Sequence, residues 1–533
     1  MYVQATKLAG SAIRREWALR TTVISTSLPG GADAAKQLRA RAARLEREGD
    51  LAGAFEAYEQ AAALAPEDPA LLSALAELAS QLGMHDQAAA LWGHLMRADP
   101  GGAAPALGFA RALTAAGRFT DAMELLKSTL QVHPQAAPLW SALGLTLTYA
   151  GRSAEALTFF DEALRLDPRS STAAHNRGLA WCDLGRAAEA EADFLAAGKL
   201  TRDPSDRAAI EFSLALLALG RGNLAEGWRL YERRLSPDWP KHVTFQAPGR
   251  RLRPGDALAG RSVLVLAEQG VGDEIMFASL LPDLVQELGP KGRLTLAVDA
   301  RLGELFVRSF PTAQVCAHAT ERAGARSRRR PAAPLSGAVE LWIPLASLGQ
   351  RYRRGAADFP RTAYLHPAPE RVRRWRDWLG PQPAVGISWR SGKLTGERRR
   401  FYPALSDWTG LLQTPGAQFV NLQYGDCEED LAALAELSGV EIRRPPGLDI
   451  KDDLDDLAAL CVALDAVVSV QNATAQLAGA VGAKVAFVSG PASWTLLGWD
   501  RPPWYASGHL CTTDSLADWR PALIAAQQMI AAT

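Results

Sequence analysis

The 533-residue chain is too long for one ordinary domain, since globular domains average roughly 150 residues. Hydrophobic residues make up 48% and charged residues 22%, a composition typical of a soluble globular protein rather than of a disordered chain. Lysine plus arginine and aspartate plus glutamate both number 58, and the resulting net charge of zero argues against a general nucleic-acid binder.

Residues 1–34 are predicted to form a disordered or irregular lead-in, because Met1 to Gly30 carries scattered charges and no apolar signal-peptide core. No apolar run in the chain approaches the roughly 20 residues that span a bilayer. The five cysteines are dispersed and lack CxxC spacing, so we expect a cytoplasmic protein without a disulfide framework.

A period of 34 residues predicts stacked helical repeats over residues 35–238. Glycine, alanine and proline each keep this step. Their positions are Gly49, Gly83, Gly117, Gly151 and Gly185; Ala54, Ala88, Ala122, Ala156 and Ala190; and Pro66, Pro100, Pro134 and Pro168. Each unit is expected to contain two helices, with glycine in the turn, a small alanine where the helices pack, and proline after the second helix.

The segment from Ser141 to Pro168 resembles a tetratricopeptide repeat, which implies a superhelix whose concave face binds a protein partner. The last unit is looser, since Gly220 follows Gly185 by 35 residues, and it is expected to cap the stack against another domain. A purely structural or dimerising array is the alternative.

The second half alternates apolar runs with helical patterns, which predicts an α/β region of two facing Rossmann-like domains, residues 239–370 and 371–533. Strands are predicted at 261–267, 293–299, 338–344, 384–390, 418–424, 465–470 and 484–489, and helices at 274–289, 301–310, 451–464 and 474–482. The basic stretch 321–334 is predicted to be a mobile, solvated loop or insertion, and a docking site is the alternative. A ligand would bind in the cleft, at the carboxyl ends of the strands.

The first motif that can carry chemistry is a glycine-rich turn after the strand 261–267. Such a turn presents backbone N–H groups to an anion, so Gly270, Gly272, Asp273 and Glu274 are candidate substrate-site residues, with both acids expected at the cleft mouth. Simple helix capping is the alternative for Asp273. Without a third glycine or a GK[ST] sequence, the turn matches neither a dinucleotide nor an ATP fingerprint.

The second motif, residues 386–403, places cations directly after a strand. Arg390 and Lys393 are candidates for holding the diphosphate or sugar phosphate of a donor. The run Arg398 to Arg400 has the same potential, and a solvated basic loop is the alternative.

The third motif, residues 451–482, contains a strand followed by a short loop and a helix. Asn472, Ala473, Thr474 and Gln476 lie where that helix begins and are candidate donor-binding residues. Gln423, at the end of another strand, is a candidate nucleoside or ribose contact.

Two other features have competing interpretations. Acids at 452, 453, 455 and 456 suggest a DxD metal site but are better explained as helix N-terminal charges, so no metal is expected. Trp494, Trp499 and Trp504 either stack on a base or sugar or pack between domains.

The segments that begin at Ala267, Gly386 and Lys451 resemble bacterial heptosyltransferase-like glycosyltransferases of the GT-B type, and in particular a group that places tetratricopeptide repeats before this domain. The resemblance implies that Asp273 is the general base and that the segment around Asn472 binds the donor. Asn472 and Gln476 stand where the family often has Asp and His. This loss of charge suits another donor, such as a CMP-linked nonulosonic acid, or lost activity.

The resemblance therefore implies a metal-independent protein O-glycosyltransferase that uses a nucleotide sugar as co-substrate and no cofactor. Flagellin modified by a nonulosonic acid is a narrower hypothesis, because flagellin is a frequent suggested acceptor in that group. The alternatives are a non-catalytic adaptor and an O-linked N-acetylglucosamine transferase of the nucleocytoplasmic type, whose catalytic segments are not matched. No nucleic-acid or membrane partner is expected.

Overall fold

The computed structural model describes residues 31–239, 241–323, 326–360, 362–392, 395–491 and 493–531. These divide into two compact units, one of residues 31–112 with Ala323 and one of the other described residues from Leu113 onward. Most of the predicted lead-in lies outside the described residues, and the first helix begins at Gly31, ahead of the predicted start at residue 35. No helix in the described ranges is long and apolar enough to cross a membrane.

Twelve α-helices precede the first strand in the described part of the chain, and they follow one another as antiparallel pairs. They are α1 (Gly31–Glu48), α2 (Leu51–Leu64), α3 (Pro69–Gln81), α4 (His85–Ala98), α5 (Ala103–Ala115), α6 (Phe119–Val132), α7 (Ala137–Tyr149), α8 (Ser153–Leu166), α9 (Ser171–Asp183), α10 (Ala187–Leu200), α11 (Pro204–Gly220) and α12 (Leu224–Tyr231). Side-chain oxygens of Asp68, Ser170 and Asp203 accept backbone N–H groups at the starts of α3, α9 and α11.

The turn glycines and packing alanines take the places that the period predicts. Gly49, Gly83, Gly117, Gly151 and Gly185 have φ of 84°, 77°, 80°, 79° and 68°, and all five alanines of the period are fully buried. The sixth turn uses Gly222 (φ 77°), because α11 is 17 residues long and extends through Gly220. The longer helix is why the period slips in the last unit.

The first sheet contains seven strands in the order β1-β6-β5-β4-β3-β7-β2. The strands are β1 (Val243–Phe245), β2 (Arg250–Arg251), β3 (Ser262–Leu266), β4 (Arg293–Val298), β5 (Ala313–Ala323), β6 (Arg326–Pro331) and β7 (Leu341–Pro344), and the helices are α13 (Val271–Phe277), α14 (Leu281–Leu288), α15 (Gly303–Ser309) and α16 (Gly349–Tyr352). β3 pairs in parallel with β4 and with β7, so the strand order reverses at β3. In doubly wound sheets ligands bind at such a point, beside the carboxyl ends of the strands.

The prediction of a mobile loop over 321–334 is wrong, because this stretch contains the end of β5 and the whole of β6. Arg329 on β6 is buried, and its guanidinium donates to the carbonyl of Ala267 at 2.6 Å and lies 3.5 Å from the carboxylate of Glu274. A run of arginines predicts a solvent-exposed segment. Arg329 is buried here because it pairs with Glu274, which lies far earlier in the chain.

The second sheet contains six strands in the order β10-β9-β8-β11-β12-β13, and every neighbouring pair is parallel. The elements are α17 (Pro369–Leu379), β8 (Ala384–Ser388), α18 (Gly396–Arg399), α19 (Thr409–Leu412), β9 (Gln418–Asn421), α20 (Glu428–Ser438), β10 (Ile442–Arg443), α21 (Leu454–Ala463), β11 (Ala466–Val470), α22 (Ala473–Ala480), β12 (Val485–Ser489), β13 (Gly508–Thr512) and α23 (Arg520–Ala531). The order reverses between β8 and β11. The α/β prediction is confirmed. The elements of this part that were not predicted are α17, α18, α19, α20, α23, β10 and β13.

Aromatic rings join the last repeat helix to both α/β domains. Trp504, which is almost fully buried, has its ring centroid 6.3 Å from that of Trp228 in α12 and 5.6 Å from that of Phe277 in α13. Trp494 contacts Tyr231 and Phe277 at 5.7 and 6.4 Å. Trp494 and Trp504 therefore pack between the last repeat helix and α13.

The acids at the start of α21 have structural partners. Asp453 accepts the backbone N–H of Asp456 at 2.9 Å and caps the helix. Asp455 pairs with both terminal nitrogens of Arg308 in the first α/β domain, at 2.8 and 3.0 Å. Asp456 accepts a hydrogen bond from the indole of Trp375 at 2.9 Å.

Candidate functional site

Residues 267–273, which we call the Asp273 turn, contain the connection from β3 and the first residues of α13, at the point where the first sheet reverses its strand order. Asp273 is half-buried, and its Oδ2 accepts the backbone N–H of Gly270 at 3.1 Å. The capping interpretation of Asp273 is therefore correct for one oxygen. Its other oxygen, Oδ1, forms no hydrogen bond with the described residues, so a substrate proton has an acceptor there.

The surroundings of Asp273 favour its protonated form. Burial raises the pKa of Asp273 to about 6, and the negative charges of Glu268 and Glu274 act in the same direction. The Gly270 N–H and the positive charge of Arg398 partly oppose this rise in pKa. A carboxyl with a pKa just below neutrality suits a general base.

Glu274 does not lie at the cleft mouth, where it was expected. It is buried, and its two carboxylate oxygens accept hydrogen bonds from the backbone N–H of Asp299 and from Nε2 of His318, both at 2.8 Å. Arg329 completes the cluster. Sequence reasoning missed His318, because β5 brings it to Glu274 from a separation of 44 residues.

The Asp273 turn meets the start of α22 in the opposite α/β domain. A Cβ added to Gly272 would lie 3.3 Å from Cα of Ala473 and 3.6 Å from Cγ of Gln476. Glycine at this position thus allows the two turns to approach closely. The structure thus brings the candidate residue Gly272 together with the candidate residues Ala473 and Gln476.

Gln423 and Asn472 make hydrogen bonds that connect the strand ends of the second sheet. The Gln423 Oε1 accepts three hydrogen bonds, from the Ser388 hydroxyl and the backbone N–H groups of Trp389 and Arg390, at 3.0–3.1 Å. The Asn472 side-chain amide donates to the Ser388 hydroxyl and the Arg390 carbonyl at 2.8 and 3.0 Å, and its oxygen caps α22. Both side chains position neighbouring turns, and their contact with a donor stays a prediction.

The remaining candidates of the second domain differ in their surroundings. Nε of Arg390 pairs with the Asp430 carboxylate at 2.6 Å, so this cation is already partly neutralised. Thr474 is buried and donates to the Leu422 carbonyl at 3.3 Å. The Gln476 carboxamide accepts a hydrogen bond from the Tyr505 hydroxyl. Lys393 lies outside the described residues.

The Arg398 to Arg400 run is not simply a solvated loop, because its last member packs against the repeats. The Arg400 guanidinium lies 3.0 Å from the carboxylate of Asp183 and 4.9 Å from the ring centroid of Tyr149. A Cβ added to Gly396 would clash with the Thr114 carbonyl. Arg398 and Arg399 remain exposed. Among the described residues, no group of His, Cys, Asp and Glu is arranged to hold a metal ion.

Repeat helices followed by a seven-stranded sheet and a six-stranded parallel sheet define a tetratricopeptide-repeat protein with a C-terminal α/β region. Family models described as tetratricopeptide repeat match residues 83–145 and 137–170. Repeats of this kind mediate contacts between proteins. The chain is 42% identical over 483 residues to Protein FlbA of Caulobacter vibrioides, across 90% of this chain and 81% of that protein, and it belongs to the FlbA family.

Two solved structures also resemble part of the chain. TTC0263 of Thermus thermophilus is 23% identical and covers 34% of this chain and 99% of its own, with a TM-score of 0.30. MamA of Desulfovibrio magneticus is 19% identical and covers 32% of this chain and 95% of its own, with a TM-score of 0.27.

Proposed function

We propose that the α/β region is a glycosyltransferase of the GT-B type, which moves a sugar from a nucleotide-sugar donor to a Ser or Thr hydroxyl of a protein held by the repeats. The observation that carries this proposal is Asp273: a half-buried carboxyl with a pKa of about 6, placed where the Asp273 turn meets α22 of the opposite domain. Flagellin as acceptor and a nonulosonic acid as sugar are the narrower proposal, which rests on the family resemblance.

In the proposed reaction Asp273 accepts the proton of the acceptor hydroxyl. The hydroxyl oxygen then bonds to the anomeric carbon, while the bond from that carbon to the donor phosphate oxygen breaks and the nucleotide leaves with the electron pair. Arg398 and the backbone at the start of α22 supply positive charge and N–H groups on the side where the negative charge develops.

A non-catalytic adaptor is the second candidate, and one set of observations favours it. Gln423, Asn472 and Thr474 direct their hydrogen bonds to the protein itself, and Arg390 is paired with Asp430. Under this proposal the α/β region keeps its fold and the repeats bind a partner without transfer.

The melting temperature of the purified protein, measured with CMP-, UDP-, GDP- and ADP-linked sugars, separates the two candidates. A ligand at about 100 times its dissociation constant adds roughly 2.7 kcal/mol of stability, which is readily detected. We expect one nucleotide class to raise the melting temperature. The Asp273→Asn variant serves as the matched control and should show the same rise, because the proposed base is not needed for donor binding. A well-folded sample that responds to none of the four classes would support the adaptor.

A further inference from the structure

The structure contains a strained residue directly before the Asp273 turn's glycines. Gln269 has φ of 63°, in the left-handed region that side chains other than glycine rarely adopt, and it is exposed to solvent. Residues in such conformations persist only where the surrounding structure holds them, and they cluster at functional sites.

The last repeat helix holds Gln269. The Gln269 carboxamide donates through Nε2 to the Tyr231 hydroxyl at 2.7 Å, and Tyr231 ends α12 and is almost fully buried. Rings of Phe212 and Trp228 in the repeats pack around Tyr231, with centroids 5.5 and 5.7 Å from its own. The packing of these rings therefore fixes the position of the Tyr231 hydroxyl, which accepts the hydrogen bond from Gln269.

The two residues before Gln269 are held as well. Glu268 is buried and pairs with Arg234, which follows α12, at 2.6 and 3.0 Å, and it also accepts the backbone N–H of Ala346. The Ala267 carbonyl accepts a hydrogen bond from Arg329 at 2.6 Å. Residues from the end of the repeat array therefore hold two consecutive residues of the segment that leads into Asp273.

We propose that Gln269 and Tyr231 are positioning residues of the Asp273 turn, through which the end of the repeat array sets the conformation that aims Asp273. This inference rests on the proposed glycosyl transfer for its effect on catalysis. The Tyr231 hydroxyl holds the carboxamide of Gln269, the carboxamide keeps the backbone left-handed, and the left-handed residue directs the chain into Gly270 and α13.

Three substitutions test the proposal through transfer kinetics. Tyr231→Phe removes only the hydroxyl and Gln269→Ala removes only the carboxamide, so both should lower kcat while KM for the donor stays unchanged. In Gln269→Gly the glycine adopts the left-handed conformation without steric cost. The Tyr231 hydroxyl should then no longer be needed to hold this conformation. We therefore expect the Tyr231→Phe/Gln269→Gly double variant to be as active as Gln269→Gly alone. Further loss in the double variant would overturn the proposal.

Hydrogen exchange over residues 266–277 tests the same proposal without any transfer. Tyr231→Phe should accelerate exchange in this segment of the full chain. Tyr149→Phe is the control, since Tyr149 is a half-buried repeat tyrosine whose ring contacts Arg400 rather than the Asp273 turn. Equal exchange in wild type and Tyr231→Phe overturns the positioning role. Faster exchange in a protein that transfers no sugar supports the positioning role and rejects the proposed function.

Discussion

At the scale of single residues, the charge state of Asp273 governs the proposed reaction. Its pKa of about 6 means that the carboxylate, which is the form that accepts a proton, predominates above pH 6 and is lost as the pH falls through that value. We expect the transfer rate to fall correspondingly on the acid side. A pH–rate profile measured below saturating donor reports this midpoint.

A substitution at Arg398 tests the same dependence of the transfer rate on the pKa of Asp273. Its positive charge lowers the pKa of Asp273, so Arg398→Gln should raise that pKa and move the acid limb of the profile to higher pH. Arg399→Gln removes the same charge from the neighbouring exposed position and should leave the limb in place. Equal movement in both variants would show that only net charge matters.

The geometry of the candidate site was predictable from the sequence where a residue's position is set by its own turn. Asp273 and the two glycines follow a buried strand and open a helix, and the structure places them as the pattern predicts. Gln423 and Asn472 were found at the correct strand ends, but their amides are used by neighbouring turns. Which atoms of other strands would satisfy those amides depends on the strand order, which the sequence does not specify.

At the scale of elements, the repeats depend on glycines that allow helices to pack closely. A Cβ added to Gly178 in α9 would lie 2.5 Å from Cε1 of the fully buried Phe194 in α10. Gly178→Ala should therefore destabilise the protein by about 1–3 kcal/mol through overpacking. Thermal or denaturant unfolding measures this cost.

Gly198 offers a matched control in α10, the partner helix of α9. An added Cβ there would lie 3.7 Å from its nearest neighbour, Cγ2 of Ile210, which is an ordinary contact. Alanine favours helix over glycine by up to about 1 kcal/mol, so Gly198→Ala should be neutral or stabilising. A loss of stability equal to that of Gly178→Ala would contradict the packing argument.

Helices and strands were predicted best where the sequence has a clear repeating pattern of residues. The 34-residue step located five turns, and all five glycines are left-handed. The segment 321–334 was not predicted correctly, because a run of arginines is typical of a solvent-exposed loop. Here the arginines form β6, and Arg329 pairs with the buried Glu274. Short edge strands such as β2 and β10 are formed by pairing with neighbours and carry little pattern of their own.

At the scale of the whole molecule, a buried ion pair joins the end of the repeats to the first α/β domain. Arg234 and Glu268 have side-chain exposures of 4% and 3%, so replacing Arg234 with Met leaves an unpaired buried carboxylate. We expect a loss of about 3–5 kcal/mol in unfolding free energy. The change in melting temperature between wild type and Arg234→Met measures it.

The neighbouring arginine provides the comparison. Arg233 pairs with Glu211 at 3.0 Å, but its side chain is 49% exposed, and exposed pairs contribute at most about 1 kcal/mol. Arg233→Met should therefore change the melting temperature little. If the two variants were equally stable, the junction between repeats and α/β region would not be the rigid connection that the proposed positioning of Asp273 requires.

The most direct measurement of the central proposal is the intact mass of purified, unmodified flagellin after incubation with this protein and a CMP-linked nonulosonic acid. We expect a mass gain of one sugar residue per modified hydroxyl with wild-type protein, and none with Asp273→Asn. A gain with Asp273→Asn equal to that of wild type would contradict the assigned base. No gain with wild-type protein and this donor, from a sample that binds flagellin, would contradict the proposed transfer of a nonulosonic acid to flagellin.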